Sequence, residues 1–254
     1  MSSMLVNLIV AGLIVGFMIG LTGVGSGALM APVLLLLGIP PATVVGSDLL
    51  FGLLTKLVGV GSHVNRKTIS WRWVWLMAIG SMPGVLIGTR LLAHFAGAPR
   101  TIRIWIGVVL VLTPVIAVLM EFARRRNAQW VERLRQPSGK TIAFIGLVIG
   151  VTVGATSVGS GSLVDMALVL FSPLSGALLI GTGIAHAVLI TGTGAAAHWS
   201  LGNVDVGLVG RLLIGSAPGV LAGGWVARRS QPHMVRWGAT TLVLLSGLTL
   251  LSRA

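Results

Sequence analysis

Two groups of residues stand out as able to do chemistry in an otherwise apolar chain. The first is a six-residue motif that occurs twice: Thr22-Gly23-Val24-Gly25-Ser26-Gly27 and Thr156-Ser157-Val158-Gly159-Ser160-Gly161, identical at five of six positions. Thr22, Ser26, Thr156, Ser157 and Ser160 offer hydroxyl donors, and Gly23, Gly25, Gly27, Gly159 and Gly161 leave the main-chain N–H groups uncovered. Each motif precedes a short apolar run, so a helix starting there aims its unpaired N–H groups and roughly half a positive charge at the motif. That combination suits a bound anion. The same small residues also suit plain close packing of helices, as small-xxx-small patterns do.

The second group is ionisable: Asp48, Lys56, Asp165 and His186 all stand inside apolar runs. Charge at membrane depth is costly and concentrates at functional positions, which makes these four candidate coupling or gating groups. Asp48 and Asp165 fit either a coupling proton or a bond to nearby backbone. His186 fits either a proton relay or a satisfied structural histidine. Lys56 stands near the end of its helix, which points to snorkelling toward the basic loop that follows, and Arg211 has the same reading early in its own helix. His63 and His198 are expected in loops.

Composition narrows what these groups serve. The 254 residues are 55% hydrophobic and 9% charged, with runs such as 104–120 and 206–222 that read as membrane helices. The net charge of +13 comes mostly from residues between the apolar runs, where they anchor helices, so nucleic acid is not expected as a partner. The absence of cysteine excludes disulfides, thiolate catalysis and cysteine–metal sites. There is no metal-ligand spacing and no phosphate-binding loop, so no cofactor is expected. The start of the chain has no charged n-region, and 5–21 reads as a retained helix. The partners expected are a small anionic substrate and the lipid bilayer, in the plasma membrane of a prokaryote.

The elements that position the motifs follow from length. As one helix, residues 5–37 would reach about 50 Å, well beyond a hydrocarbon core of about 30 Å. Three glycines in five positions break it at Thr22–Gly27, and the two arms fold into a hairpin whose tip is the motif. Helices are then expected near 43–60, 72–92 and 102–120, with Trp71, Trp73 and Trp75 at a membrane interface. The second half repeats the order: arms 142–155 and 163–171 around Thr156–Gly161, then helices near 176–197, 206–227 and 235–251. Gly80-Ser81-Met82-Pro83-Gly84-Val85-Leu86-Ile87-Gly88 aligns with Gly215-Ser216-Ala217-Pro218-Gly219-Val220-Leu221-Ala222-Gly223 at seven of nine positions. For both of these stretches close helix packing is the expected role.

The expected architecture is therefore an all-α integral membrane protein of two repeats, each a broken-helix hairpin plus three transmembrane helices. The repeats are 1–121 and 141–254, joined by a basic cytoplasmic linker, 122–140, that holds Arg124, Arg125, Arg126, Arg133, Arg135 and Lys140. Basic residues lie at 62–71 in the first half. The counterpart loop, 198–205, has no Lys or Arg and carries Asp205, and Arg228, Arg229 and Arg236 stand at the opposite turn instead. Exchanged sites of positive charge predict halves of opposite topology. Arg90, Arg100 and Arg103 reduce that contrast without reversing it.

The glycine-interrupted first helix, Pro32, the Gly46-Ser47 element and the Pro83-Gly84 helix resemble the TauE/SafE sulfite exporter family over essentially the whole chain. The resemblance implies a transporter of sulfite or organosulfur anions such as sulfonates. The chain departs from the family pattern at Met166, which stands where Pro32 stands in the first half, and at Asp48, where a small hydroxyl or apolar residue is expected. Together these features predict a secondary transporter working by alternating access around one site at the two breaks. The alternatives are an anion channel or an intramembrane enzyme using Asp48, Asp165 and His186 as acid/base groups.

Overall fold

The computed structural model describes residues 2–22, 25–95, 97–126, 137–227, 229 and 232–253. Among them are ten helices and no strand: α1 (Ser2–Thr22), α2 (Ser26–Leu36), α3 (Pro41–Asn65), α4 (Trp71–His94), α5 (Pro99–Arg126), α6 (Gly139–Thr156), α7 (Ser162–Phe171), α8 (Gly176–Ser200), α9 (Val206–Ala227) and α10 (Pro232–Ser252). Six of them, α3, α4, α5, α6, α8 and α9, are long and apolar enough to cross a membrane. At 11 and 10 residues, α2 and α7 span only about 15 Å each. Each is the short return arm of a broken hairpin. The breaks fall where the glycines predict, with α1 ending at Thr22 and α6 at Thr156. Gly23 lies outside the described residues, as do Arg133, Arg135 and Arg228.

What joins the halves is a set of close helix crossings between them. α1 packs along α9 and α6 along α4, while α3 meets α8 and α5 meets α10. On α1, Gly12, Gly16 and Gly20 face the backbone of Leu212, Ser216 and Val220; α9 returns Gly215, Gly219 and Gly223 against the carbonyls of Ile9, Leu13 and Phe17. The α4–α6 crossing repeats this, with Gly80, Gly84 and Gly88 on Ala143, Leu147 and Val151, and Gly146, Gly150 and Gly154 on Met77, Ser81 and Val85. A Cβ at Gly12 would stand 2.7 Å from Leu212 O, and one at Gly16 would stand 2.6 Å from Ser216 Cα, so these positions admit no side chain. Hydrocarbon gives no hydrophobic drive between helices; backbone approach and dispersion hold them, which is why glycine recurs every fourth residue. The expectation that Gly80–Gly88 and Gly215–Gly223 serve packing is met.

The α3–α8 crossing is pinned by polar contacts that also obey the repeat. The Ser47 hydroxyl accepts from Asp205 N–H at 3.0 Å, and the Thr182 hydroxyl accepts from Ser70 N–H at 2.9 Å. Gly46 lets the Asn203 carbonyl approach, and Gly181 does the same for Thr68. The Gly46-Ser47 element is thus a stitch between halves rather than a ligand site.

His63 and His198 are not in loops: they lie in the last turns of α3 and α8. Both helices run on until a left-handed residue stops them, Lys67 at φ 54° and Gly202 at φ 72°. His63 Nδ1 is 2.8 Å from the Thr68 hydroxyl, and His198 Nε2 is 3.0 Å from Gly154 O.

Candidate functional site

Both breaks end at one cavity of about 510 Å³, bounded by α1, α2, α3, α7, α8 and α9. From the two tips, Gly25, Ser26 and Gly161 reach it. The tips meet there backbone to backbone: a Cβ built on Gly25 would stand 3.6 Å from Gly161 N and 4.0 Å from the Ser160 hydroxyl. Gly25 has ordinary extended angles (φ −62°, ψ 154°) that any residue adopts, and a Cβ there would meet the other tip at ordinary contact distance.

The tips divide the labour of their motifs in the same way. The Thr22 hydroxyl donates to Met18 O at 2.6 Å and the Thr156 hydroxyl to Thr152 O at 2.7 Å, so both threonines finish their own helices. The Thr156 hydroxyl also accepts from Val158 N–H at 3.2 Å, shaping the turn. Ser157 (φ 60°) and Gly159 (φ 96°) supply the left-handed backbone that reverses the chain. Gly27 is buried against the Ser157 carbonyl, joining one tip to the other. Of the ten residues the motifs nominate, Gly25, Ser26, Ser160 and Gly161 therefore stand at the cavity or beside it. Thr22, Gly27, Thr156, Ser157 and Gly159 build the tips.

The largest departure from expectation is Lys56. It does not snorkel toward the loop; it turns back along α3 and donates from Nζ to the Ser160 hydroxyl at 3.2 Å. Helical side chains lean toward their own N-terminus, and here that direction leads to the tips rather than to water. The ammonium passes over Gly52, where a Cβ would stand 3.2 Å from Nζ and 3.0 Å from the Ser26 hydroxyl. Gly52 is a site residue that sequence reasoning missed, and its spacing of four from Lys56 is the signal that marks it.

Two carboxylates flank the lysine. Asp48 lies two turns before it on α3, 1% exposed, with its Oδ2 3.1 Å from the place a Cβ on Gly27 would take. Its Oδ1 has no hydrogen-bond partner. Asp165, from α7, lines the cavity and rests on Gly183 of α8. Lys56 interacts electrostatically with both. In the repeat frame Gly183 is the counterpart of Asp48, so each half contributes one carboxylate by a different route. His186 is not brought to this site: its Nε2 is 2.8 Å from the Ser81 hydroxyl in the α4–α8 seam.

The rest of the cavity wall is mostly apolar, with Phe51, Ile184, Leu213 and Val220 among its residues. Among the described residues no group of three or more His, Cys, Asp or Glu could hold a metal ion.

The chain is similar to a known family along nearly its whole length. The family model for the sulfite exporter TauE/SafE matches residues 8–250. The chain belongs to the TauE/SafE sulfite exporter family. It is 38% identical over 255 residues to the probable membrane transporter protein YjnA of Bacillus subtilis (strain 168), covering 98% of this chain and 100% of that one. A second protein of the same organism, the probable membrane transporter protein YunE, is 24% identical over 266 residues, covering 97% of each chain. A third, the probable membrane transporter protein YdhB, is 24% identical over 211 residues, covering 83% of this chain and 85% of that one. No solved structure matches the chain. This TauE/SafE member is a multi-pass protein of the cell membrane, from a family of membrane transporters.

Proposed function

We propose that this chain is a secondary transporter that exports a small sulfur-containing anion, such as sulfite or a sulfonate, by alternating access around the two tips. The observation that carries the reading is the convergence of both tips and the Lys56 ammonium on one cavity. The N–H groups of Gly25 and Gly161, the hydroxyls of Ser26 and Ser160 and the Lys56 charge are the ligands. Their donors suit the oxygens of a sulfur oxyanion, and the mostly apolar walls suit an organic substituent.

Alternating access draws support from a break in the repeat symmetry. In the inverted arrangement proposed here, the α3–α9 seam and the α8–α4 seam are counterparts. The first is loosely packed and lined by Phe51 and Ser216 at the cavity, whereas the second is closely packed and latched by His186 on Ser81. Phe51 is the counterpart of His186, and Ser216 is the counterpart of Ser81. Exchanging the two seams would give the state facing the other side. The repeats themselves are read as inverted, from the exchanged loop charges and from the reciprocal α1–α9 and α6–α4 crossings.

Proteoliposome flux tests the function. A transporter saturates and exchanges labelled sulfite or methanesulfonate against unlabelled anion. A channel passes current without saturation over the same range, and an enzyme alters the anion chemically. Saturable counterflow is the expected result, and either of the other two would replace this reading. Because the chain has no cysteine, single cysteines placed in 66–70 and at position 229 report topology directly. Labelling from opposite faces would overturn the inverted repeat.

A further inference from the structure

The charges around the tips do not fit a site that binds an anion alone. Among the residues lining the cavity, Lys56 is the cation and Asp165 the carboxylate, with Asp48 sealed behind the tip on the same helix as Lys56. With both carboxylates ionised, one cation faces two anions before any substrate arrives. A third negative charge in a mostly apolar cavity meets little dielectric screening.

Resting on the transporter reading above, we infer that Asp165 carries one proton with each transported monoanion, so that anion and proton cross together without net charge movement. The empty site holds Lys56 positive with Asp48 and Asp165 negative, a sum of minus one. The loaded site holds Lys56 positive, Asp48 negative, Asp165 neutral and the anion negative, again minus one. The moving core thus has the same charge in both directions of the cycle. Asp165 is the proton carrier because its carboxyl faces the cavity, where water delivers the proton, whereas Asp48 is 1% exposed beneath Gly27. Asp48 is the fixed counter-charge of Lys56. No bond other than the carboxyl O–H forms or breaks.

Among the described residues, Lys56 is the cation that acts on the Asp165 carboxylate. Gly183 is what α8 places against its carboxylate, and His186 on that helix is engaged with Ser81. His198 reaches Gly154 O near the far end of α8. Glu121 of α5 lines a separate cavity with Met166 and Val169. Arg100 and Arg103 stand at the start of α5, and Lys140 stands at the start of α6.

The test uses the full-length protein in proteoliposomes with lumenal pyranine and an inward gradient of methanesulfonate, which stays ionised throughout the working pH range. Wild type should acidify the lumen by about one proton per anion, and a potassium–valinomycin potential of either sign should leave the flux unchanged. Anion affinity should fall by up to tenfold per pH unit on the alkaline side of the transition. Asp165→Asn, which mimics the protonated carboxyl, should keep anion counterflow, lose the proton flux and bind with a flat pH profile. Asp165→Glu should keep coupling. Anion flux without proton movement in wild type, a potential-driven flux, or unaltered coupling in Asp165→Asn would each overturn the inference. Coupling lost in Asp48→Asn but kept in Asp165→Asn would overturn it as well. Should Asp165→Asn not fold, the wild-type proton count and its insensitivity to potential decide alone. No counterflow of sulfite or methanesulfonate in wild type would remove the transporter reading itself, a result distinct from counterflow without protons.

Discussion

Substituting Gly25 by alanine separates the binding role of the tips from their folding role. The new methyl carbon would stand 3.6 Å from Gly161 N and 3.9 Å from Gly161 Cα, ordinary contact distances, on a backbone that any residue adopts. As an N-cap change from glycine it should cost the fold about 1 kcal/mol or less. An anion oxygen accepting from Gly161 N–H needs to sit at about 2.9 Å from the same nitrogen. The methyl occupies that gap, so the anion loses at least one charge-assisted hydrogen bond, worth about 1.5–3 kcal/mol. Affinity should therefore fall by about ten- to a hundredfold while the melting temperature barely moves. The matched control is Gly61→Ala on α3, where a Cβ meets nothing within 4 Å. Titrating sulfite or methanesulfonate against thermal stability in detergent gives affinity and folding together, and counterflow in proteoliposomes gives the transport rate. A folded Gly25→Ala protein that binds within twofold of wild type would refute the argument, because the gap between the tips would then not hold the anion.

Other perturbations probe the scaffold and the gate. Gly150→Ala puts a Cβ into the Ser81 backbone, including Cα at 2.8 Å, with no flexible side chain to yield; the melting temperature should fall by the equivalent of about 3 kcal/mol or more. Gly159→Val should fail to accumulate as folded protein, since a β-branched residue at φ 96° is strained and also strikes Leu163, so this variant reports folding rather than binding. Ser47→Ala and Thr182→Val should each cost about 1–3 kcal/mol by leaving the Asp205 or Ser70 N–H unpaired, and the double variant should be additive in thermal unfolding because the stitches share no partner. Cysteines at Ser81 and His186, bridged by a short bifunctional thiol reagent, should stop counterflow reversibly by holding the α4–α8 seam shut. Undiminished exchange after full bridging would show that this seam does not move.

Periodicity and repetition made much of this molecule legible before any coordinates. A membrane helix must satisfy its own backbone, so apolar runs of fixed length announce themselves, and clustered glycines announce where they stop. That physics placed the breaks at Thr22 and Thr156 and set α9 at Val206–Ala227. The duplicated Gly80–Gly88 and Gly215–Gly223 patterns likewise foretold close packing, because a glycine every fourth residue aligns on one helix face. Which face met which partner was another matter. α1 on α9 and α6 on α4 are crossings between halves, decided by backbone fit between segments about 200 and about 65 residues apart in the chain.

The side chains show the same division. Sequence named Asp48, Asp165 and Lys56 because charge in an apolar run is conspicuous, yet it sent Lys56 to the loop. Helix position alone does not say whether a long side chain finds water or an interior polar group. Only the arrival of the second tip, with Ser160 3.2 Å from Nζ, decided that direction. His186 was equally conspicuous and stands in a different seam, because its helix turns that face to Ser81. Gly52 was invisible among 36 glycines until Ser26 and Lys56 were seen to share the space above it. The sequence by itself determined the helices, their breaks and their duplication, since each follows from local hydrogen bonding and hydropathy. The tertiary structure decided which charges meet, since that depends on contacts between segments that no local pattern encodes.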